Sequence, residues 1–260
     1  MAIIVAGGKG VRLDPTTPKQ YLPLAGKPVL IHTLERFYES GLFAHAAVVL
    51  PASDLTFWPE LCAHYGLDRT FFESVSGGET RFDSVGAGLE ALNRYLGATR
   101  STAGCADAPN EDNLWVAVHD GVRPLVNTAF LHACLEAAFL HGNAVPALAP
   151  VESFRYIGPD GIQAIAATPT DRFDNRPIDR TRLRSLQTPQ CARLPQLLSA
   201  WRHAAERAGA EKAERFTDEA TVLEYTGEHI HLCEGSPFNL KITRPIDLKW
   251  AEFVLTSGLL

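Results

Sequence analysis

Short apolar runs alternate along the chain with longer segments in which apolar residues recur three and four positions apart. The short runs are typical of buried strands, and the longer segments are typical of helices with one buried face. The predicted strands are Ala2–Val5, Ala46–Leu50, Phe71–Val75, Trp115–His119, Ala144–Leu148 and Ile230–Leu232. The predicted helices are Pro28–Ser40, Leu55–Tyr65, Arg81–Leu96, Thr128–His141, Leu194–Arg207, Glu219–Tyr225 and Ile246–Thr256.

This alternation predicts a fold of the α/β class, with a Rossmann-like, mostly parallel sheet and helices on both of its faces. Sheets of this kind bind ligands at the carboxyl ends of their strands. The loops after Val5, Val75 and Val118 are therefore expected to line one crevice. The sequence contains no repeat and no linker that would divide it, so we expect one domain over residues 1–260.

Two stretches interrupt the alternation. Residues 101–112 (STAGCADAPNED) are small and polar, which predicts a surface insertion. In Ser153–Ala167, apolar-rich runs flank a Pro-Asp-Gly turn, which predicts a β-hairpin. A hairpin of this size cannot bury its own face and must dock on another surface. We expect a β-arm over about residues 151–185, with a second subunit as a candidate for that surface.

The composition is that of a globular protein with a mildly acidic charge. The 260 residues are 46% hydrophobic and 21% charged, and the net charge of −6 disfavours a general nucleic-acid or anionic-membrane binder. No apolar run reaches the roughly 18–20 residues of a membrane span, and the first residues lack the layout of a signal peptide. The five cysteines show neither metal-ligand spacing nor a disulfide framework, so we expect a cytoplasmic protein.

Candidate chemistry begins in the loop AGGKGVRL, directly after the first strand. Gly8 and Gly10 fit the dinucleotide fingerprint, but its third glycine position holds Leu13, and the P-loop pattern is absent from the sequence. An ordinary tight turn would account for the glycines alone. The neighbouring cations Arg12 and Lys19 favour a different interpretation, a polyphosphate cradle built from backbone N–H groups and fixed positive charge.

Six segments, in order, carry a resemblance to a known family. They are AGGKGVRL with PKQYLPLAGKPVL, SGGETRFDSV, VHDGVRP, RLRSLQTPQ, FTDEATVLEY and NLKITRPIDL. Together they resemble the cytidylyltransferases that act on polyol phosphates, within the nucleotidyltransferase superfamily. The PKQ form resembles in particular the family that acts on 2-C-methyl-D-erythritol 4-phosphate in non-mevalonate isoprenoid synthesis. The resemblance covers nearly the whole chain.

The resemblance implies a reaction in which the phosphate of the polyol phosphate attacks the α-phosphorus of CTP and pyrophosphate leaves. The attacking phosphate is already an anion at neutral pH, so no general base is needed. The protein must instead supply cations that align the two anionic groups and stabilise the transition state. By resemblance, Arg12 and Lys19 face the triphosphate, and Lys241 reaches the α-phosphate from the opposite side.

The resemblance also implies a nucleotide site and a metal. The residues expected to bind the nucleotide are Ala6, Gly7, Gly8, Gly78, Glu79, Arg81, Ser84 and Gly121. Arg81 could read the base or pair with the neighbouring Asp83. Asp120 ends an apolar strand, where a carboxylate needs a cation or donors. Beside phosphates its natural partner is Mg²⁺, which binds one or two carboxylates together with substrate oxygens.

The acceptor is expected to bind to residues from several segments. They are Asp120, Arg123, Ser153, Arg180, Thr188 and Thr217. In the family, the residues that correspond to Ser153 and Arg180 come from the arm of the other subunit, which implies a homodimer. The common family form reads P-V-R-D-T at this point, whereas this chain reads Pro150-Val151-Glu152-Ser153 and lacks the arginine.

Three alternatives stay open at the level of the sequence. Another acceptor such as ribitol 5-phosphate is one, because AGGKG and HDxVRP also occur in the related ribitol 5-phosphate enzymes. An NAD-dependent oxidoreductase is a second, and the missing third glycine speaks against it. A non-catalytic nucleotide-binding subunit is a third. It would usually have lost a key lysine or aspartate, yet Lys19, Asp120 and Lys241 are all present.

Overall fold

The structure, a computed structural model, describes residues 1–7, 17–102, 113–157, 175–207, 209 and 215–259. Two predicted site residues, Gly8 and Arg12, lie outside these ranges. Of the predicted insertion at 101–112, only Ser101 and Thr102 are described, and both belong to a helix. The prediction of a surface insertion therefore lies almost wholly outside the described residues.

Strands and helices alternate along the described chain. The strands are β1 (Ala2–Val5), β2 (Pro23–Leu24), β3 (Lys27–Pro28), β4 (Ala46–Leu50), β5 (Phe72–Ser76), β6 (Trp115–Asp120), β7 (Asn143–Leu148), β8 (Phe154–Ile157), β9 (Asn175–Ile178), β10 (Ser185–Leu186), β11 (Gln190–Arg193) and β12 (Leu232–Glu234). The helices are α1 (Val29–Glu39), α2 (Trp58–Tyr65), α3 (Arg81–Thr102), α4 (Thr128–His141), α5 (Leu194–Arg207), α6 (Glu219–Tyr225) and α7 (Pro245–Ser257).

The central sheet has the predicted α/β architecture, with parallel pairing of β6, β1, β4 and β5. The strand order is β10-β7-β11-β6-β1-β4-β5, and β12 pairs in parallel with β7. The sequence did not predict β10 or β11. The short strand β11 runs antiparallel between β6 and β7, and its residues Gln190 and Arg193 interrupt the apolar pattern by which buried strands are recognised.

Most predicted elements agree with the structure apart from their ends, but the strand predicted over Ile230–Leu232 shares only Leu232 with β12. The predicted helix over Leu55–Tyr65 is a 3₁₀ helix at Ala52–Thr56 followed by α2. Helix α3 continues beyond its predicted end at Leu96 to Thr102. The prediction of helix ends from sequence is inexact because local signals compete there with tertiary packing.

Apolar side chains on the two faces of the sheet form two separate cores. In β1, Ala2 and Ile4 belong to the core beneath α1, α2 and α4, whereas Ile3 belongs to the core beneath α3 and α5. This division follows from the alternation of side chains along a strand. A third apolar cluster joins α7 to the segment around Leu24 and Val122. Ile242 belongs to this cluster and donates its backbone N–H to Val122 O at 2.9 Å, which holds the preceding residue, Lys241, near the end of β6.

The arm forms its own two-stranded sheet. Strands β8 and β9 pair antiparallel, with Phe154 opposite Ile178 and Ile157 opposite Asn175. The return strand is thus Asn175–Ile178, which lies beyond the predicted hairpin over Ser153–Ala167. That part of the prediction is wrong. The predicted Pro-Asp-Gly turn lies outside the described residues.

Among the described residues, no helix combines the length and the apolar character that crossing a membrane requires.

Candidate active site at the carboxyl edge of the sheet

One cleft of about 1010 Å³ opens at the carboxyl ends of the parallel strands β1, β4, β5 and β6. The loops that follow Val5, Val75 and Val118 all contribute to it, as the strand order of such sheets predicts. The residues that line the cleft are Val5, Ala6, Gly7, Pro18, Lys19, Gln20, Pro51, Ala52, Ser53, Asp54, Gly77, Gly78, Glu79, Thr80, Arg81, Ser84, Asp120, Val122 and Lys241.

The end of β1 forms one wall of the cleft, and its backbone is held by the strands on either side. Ala6 donates its N–H to Val49 O at 2.9 Å, and Gly121 donates its N–H to Val5 O at 2.9 Å. A Cβ on Gly121 would lie 2.9 Å from Leu30 Cδ1 and 3.1 Å from Ala6 Cβ, so a larger residue here would require its neighbours to shift. Gly121 is buried and lies behind the cleft lining, and the structure accounts for it by packing.

A glycine pair lets the loop after β5 fold over the first turn of α3. Gly78 donates its N–H to Ser84 Oγ at 3.3 Å. A Cβ on Gly78 would lie 2.4 Å from Asp83 Cβ, and one on Gly77 would lie 2.8 Å from Ser84 Oγ. A side chain at either position would collide with the first turn of α3. The glycines therefore leave the backbone of this loop exposed to the cleft, where it can contact a flat ligand. The predicted residues Gly78, Glu79 and Ser84 are indeed together on this wall.

Asp83 caps the start of α3 instead of pairing with Arg81. Thr80 Oγ1 donates to Asp83 Oδ2 at 2.8 Å, and Asp83 donates its backbone N–H to Thr80 Oγ1 at 3.0 Å. This reciprocal bonding satisfies backbone groups at the helix start. Arg81 pairs with Glu219, at 2.6 Å between Nη1 and Oε1 and 3.0 Å between Nη2 and Oε2.

Asp120, at the end of β6, is surrounded by three cations. Its Oδ2 accepts a hydrogen bond from Arg123 Nε at 3.0 Å and lies 3.1 Å from Lys241 Nζ, and its Oδ1 lies 4.0 Å from Arg81 Nε. Burial alone would raise the pKa of Asp120, but the three cations outweigh burial and hold that pKa well below its usual range. Asp120 is therefore ionised at neutral pH although it is only 6% exposed.

A buried hydrogen-bond chain supports Asp120 from behind. The backbone N–H of Asp120 donates to Thr188 Oγ1 at 3.1 Å, and Thr188 Oγ1 lies 3.0 Å from His119 Nδ1. His119 Nε2 lies 3.3 Å from Arg123 O, which can only accept, so Nε2 carries the proton and Nδ1 accepts from the threonine hydroxyl. Burial lowers the pKa of His119 to about 3, so the imidazole is neutral. The hydroxyl hydrogen of Thr188 is therefore already donated within the protein, to His119 Nδ1.

The cation Lys241 reaches the cleft because the chain around it is anchored. Arg123 Nη1 donates to Asn239 O at 2.8 Å, and Asn239 Nδ2 donates to Thr188 O at 2.6 Å. Lys241 itself keeps a side chain that is 39% exposed. The hydrogen bonds to Asn239 therefore fix the backbone from which the Lys241 ammonium group extends into the cleft.

The predicted acceptor residues are not all in one place. Thr217 is exposed directly before α6, and Ser153 and Arg180 are exposed on the arm. Arg180 Nη1 donates to Val151 O within the same arm. None of these three residues, nor Thr188 or Arg123, belongs to the cleft lining within the described ranges. Their contact with an acceptor stays a prediction.

Three of the polar residues at this cleft that sequence reasoning missed are Glu219, Asp54 and Gln20. Glu219, within the TDEA segment, is 1% exposed and lies behind Arg81. Asp54 lines the cleft and accepts from Tyr21 O–H at 2.9 Å. Gln20 lines it with both amide atoms buried and lacking a hydrogen-bond partner in the described part of the chain. The available signal for Glu219 and Gln20 was their place inside TDEA and PKQ, two of the motifs that carry the family resemblance, whereas Asp54 only follows a strand end.

The donor set of the cleft fits a magnesium ion that is held mainly by substrate. Asp120 Oδ1 is beyond hydrogen-bond distance of Arg81, whereas Oδ2 is shared by Arg123 and Lys241. Within the described ranges, no three His, Cys, Asp or Glu side chains form a group that could hold a metal by themselves. Mg²⁺ at phosphate sites commonly takes one or two carboxylates and completes its shell with phosphate oxygens and water.

Comparisons with known proteins reveal similar sequences over nearly the whole chain. The family model described as "IspD: 2-C-methyl-D-erythritol 4-phosphate cytidylyltransferase" matches residues 1–257. The chain is 38% identical over 257 residues to the 2-C-methyl-D-erythritol 4-phosphate cytidylyltransferase of Porphyromonas gingivalis, covering 98% of this chain and 97% of that one. It is 36% identical over 255 residues to the protein of the same name from Bacteroides thetaiotaomicron, covering 97% and 98%.

Solved structures show the same architecture. The crystal structure of the Francisella tularensis 2-C-methyl-D-erythritol 4-phosphate cytidylyltransferase superposes with a TM-score of 0.71 at 28% identity, covering 97% of each chain. The 4-diphosphocytidyl-2C-methyl-D-erythritol synthase of Anaerococcus prevotii superposes with a TM-score of 0.72 at 20% identity, covering 98% of this chain and 95% of that one. The second likeness shows the fold alone.

Proposed function

We infer the function of this chain from its family, because it belongs to the 2-C-methyl-D-erythritol 4-phosphate cytidylyltransferases. It transfers the CMP part of CTP to 2-C-methyl-D-erythritol 4-phosphate, giving 4-diphosphocytidyl-2-C-methyl-D-erythritol and pyrophosphate in isoprenoid precursor synthesis. One observation supports this function most directly: cations from distant segments, Lys19 and Lys241, line the cleft that also contains Asp120 and the paired glycines.

The chemistry requires the cleft to bring two anions together. CTP and the acceptor phosphate repel each other, and at neutral pH the acceptor phosphate needs no base to become a nucleophile. Lys19 and Lys241 would align the phosphates and stabilise the charge that develops at the α-phosphorus, with Arg12 as a third cation of the same kind. Preorganised charge of this type, together with positioning, provides most of the rate enhancement in phosphoryl and nucleotidyl transfer.

The wall around Gly78 would receive the cytosine base. Ser84 and the backbone of Gly78 and Glu79 offer polar groups beside a surface from which side chains are excluded. Ala6 and Gly7, at the end of β1, line the same cleft and would contact the nucleotide there, as would Gly8, the next residue in the sequence. Recognition would therefore depend largely on backbone groups, which a rigid βα turn positions well.

We propose Mg²⁺ as the cofactor, with Asp120 as its protein ligand. The ion would neutralise phosphate charge when it is bound. Two cations of the chain prepare this ligand, because Arg123 and Lys241 keep Asp120 ionised and aimed at the cleft. The single carboxylate at this position suits an ion that arrives with the nucleotide.

We also propose a homodimer in which each arm completes the site of the partner subunit. The arm exposes large apolar side chains, with Val151 79%, Phe154 41% and Tyr156 42% exposed, which is unfavourable in water. Ser153 and Arg180 lie on this arm and outside the lining of the chain's own cleft. A second subunit would cover the apolar surface and bring these two polar residues to an acceptor. The cytoplasmic location stays a prediction from the sequence.

Turnover by the purified protein tests the function. CTP, Mg²⁺ and 2-C-methyl-D-erythritol 4-phosphate should give pyrophosphate and a diphosphate-linked product, followed by ³¹P NMR. ATP and UTP in place of CTP, and ribitol 5-phosphate in place of the acceptor, are the matched comparisons. Turnover of ribitol 5-phosphate with none of the methylerythritol phosphate would overturn the choice of acceptor. No turnover with either acceptor would overturn the function.

A further inference from the structure

Arg81 and Glu219 form a buried, two-pronged ion pair between segments that are far apart in the sequence. Arg81 is the first residue of α3, and Glu219 is the first residue of α6. Nη1 and Nη2 of Arg81 each bond to one carboxylate oxygen, at 2.6 and 3.0 Å. The Glu219 side chain is 2% exposed, whereas the Arg81 side chain is 24% exposed and lines the cleft.

Burial of this ion pair costs free energy, so a contribution to stability does not account for its presence. Burial raises the pKa of Glu219 in spite of the attraction of Arg81, which shows that the carboxylate is held in an unfavourable place for a charge. A buried ion pair usually contributes little net stability compared with apolar residues of the same size. A role in the cleft gives a better reason for keeping it.

The geometry of the pair determines where the rest of Arg81 points. A guanidinium group is planar, so two bonds to one carboxylate fix both its position and the direction of its plane. With both Nη atoms on Glu219, the Nε edge faces Asp120, with 4.0 Å between Nε and Oδ1. Arg81 therefore adds positive charge beside the carboxylate oxygen that has no hydrogen bond from Arg123 or Lys241.

Glu219 is itself held firmly. Gln190 on β11 accepts from the backbone N–H of Ala220 at 2.9 Å and donates to Asp218 Oδ2 at 3.1 Å. Asp218 and Thr221 form a reciprocal cap at the start of α6. The turn that carries Glu219 is thus clamped to the sheet at a point next to β6, to which β11 is paired.

We propose that Glu219 is a positioning residue for catalysis, which holds the Arg81 guanidinium in the orientation that the nucleotide and Asp120 require. The inference rests on the proposed function and deepens it. It assigns Glu219 no contact with substrate, because the carboxylate lies behind Arg81. The Arg81–Glu219 pair also connects the predicted nucleotide-binding residues, of which Arg81 is one, to the turn that carries the predicted acceptor residue Thr217.

Steady-state kinetics of Glu219→Gln, Arg81→Lys and the double variant test the proposal. Glutamine has the size of glutamate without its charge, and lysine keeps the charge of arginine without its planar pair of donors. We expect each single variant to lose about 100-fold in kcat/KM for CTP, as misplacement of a cleft group by about 1 Å does. The double variant should lose no more than about threefold beyond Arg81→Lys, because both changes remove the same interaction.

A matched control exists on another part of the surface. Arg202 and Glu90 form the same kind of two-pronged pair, at 2.8 and 2.9 Å, with both side chains largely exposed. Glu90→Gln should keep wild-type kinetics within about twofold, as expected for an exposed pair. Melting temperatures of all variants, with assays run well below them, separate loss of fold from loss of positioning.

Every outcome of these assays either supports or overturns the proposed role of Glu219. Independent losses that multiply in the double variant would overturn the proposal, as would a Glu219→Gln enzyme within about threefold of wild type. If Glu219→Gln does not fold, Glu219→Asp, which keeps the charge but is too short for both bonds, is compared with Arg81→Lys by the same criterion. A wild-type protein that does not turn over CTP and the methylerythritol phosphate would instead contradict the proposed function.

Discussion

Lys241 Nζ lies 3.1 Å from Asp120 Oδ2, although the two residues are far apart in the sequence. Asp120 ends β6, and Lys241 precedes α7, whose apolar face is packed against Leu24 and Val122. The contact joins the residue proposed to meet the metal with a residue proposed to meet the α-phosphate. We expect Lys241 to exchange part of this contact for phosphate oxygens when CTP binds.

Replacement of Lys241 by alanine should abolish most turnover. We expect kcat to fall about 10²–10³-fold, the cost of removing one preorganised charge from a transition state. Stopped assays of pyrophosphate release at saturating CTP measure this. Lys249→Ala on α7 is the matched control and should keep kcat within about twofold, as a surface substitution normally does. A Lys241→Ala enzyme within about fivefold of wild type would contradict the assigned role.

Alanine at Gly78 should weaken CTP binding. A Cβ there would lie 2.4 Å from Asp83 Cβ, so the loop must shift away from the first turn of α3. We expect KM for CTP to rise about tenfold or more, since a shift of about 1 Å at a binding site is costly. Calorimetric titration with CTP provides a direct measurement.

The control for that change is Gly97→Ala, on the helix α3 that follows this loop. No heavy atom lies within 4 Å of a Cβ at Gly97, and the residue is exposed. Alanine there should leave KM unchanged and raise the free energy of unfolding by about 0.5–1 kcal/mol. Equal effects of the two substitutions on KM would show that the wall at Gly78 does not touch the nucleotide.

The stability of the protein should fall as the pH is lowered, in a range set partly by His119. The folded pKa of His119 is about 3, and the unfolded value is about 6.5, so the unfolded chain binds a proton between these pH values that the folded chain does not. The contribution to the free energy of unfolding is therefore complete above about pH 6.5 and is lost as the pH falls toward about 3. Urea titrations at a series of pH values measure this slope.

His119→Gln should flatten that slope, because glutamine does not titrate. The exposed His132, on α4, supplies the comparison. His132→Gln should leave the slope as it is in the wild type, because a surface substitution leaves the buried His119 imidazole in place. Identical slopes for all three proteins would mean that His119 is not held neutral in the fold.

Mixed dimers should recover activity if the arm crosses to the partner. Lys19→Ala should inactivate a subunit's own cleft, and Arg180→Ala removes the arm residue that the subunit would contribute to its partner. Subunits of the two variants, unfolded together and refolded, should give about a quarter of wild-type activity, because about half of the dimers then hold one intact site. Mixtures that stay as inactive as either variant alone would place Arg180 in its own subunit's site, and an Arg180→Ala protein with wild-type activity would place Arg180 outside any site.

Removal of divalent cations should stop the reaction. EDTA is expected to abolish pyrophosphate release, and added Mg²⁺ to restore it, because the cleft then lacks the ion that neutralises the phosphate charge. Asp120→Asn should bind Mg²⁺–CTP more weakly than wild type. Full activity in EDTA would contradict the proposed cofactor.

The sequence by itself was enough for the main architecture. The continuous apolar run Ala46–Leu50 predicts the observed strand residue for residue, because a strand covered on both faces is apolar throughout. The apolar residues that recur three and four positions apart in Thr128–His141 likewise predict the observed helix. The motif order also placed Lys19, Gly78, Asp120 and Lys241 at one edge of the sheet, where the structure brings them together.

Tertiary structure decided what local patterns do not encode. The strand β11 forms because it pairs antiparallel with both β6 and β7, which are its neighbours in space. In the arm, β8 pairs with Asn175–Ile178, a strand separated from it by a long connection in the sequence. Arg81 could have paired with Asp83 nearby. It pairs with Glu219 instead, because the fold places this buried carboxylate behind the guanidinium. Contacts between distant segments depend on the packing of whole elements, and that information is not carried by the spacing of residues along the chain.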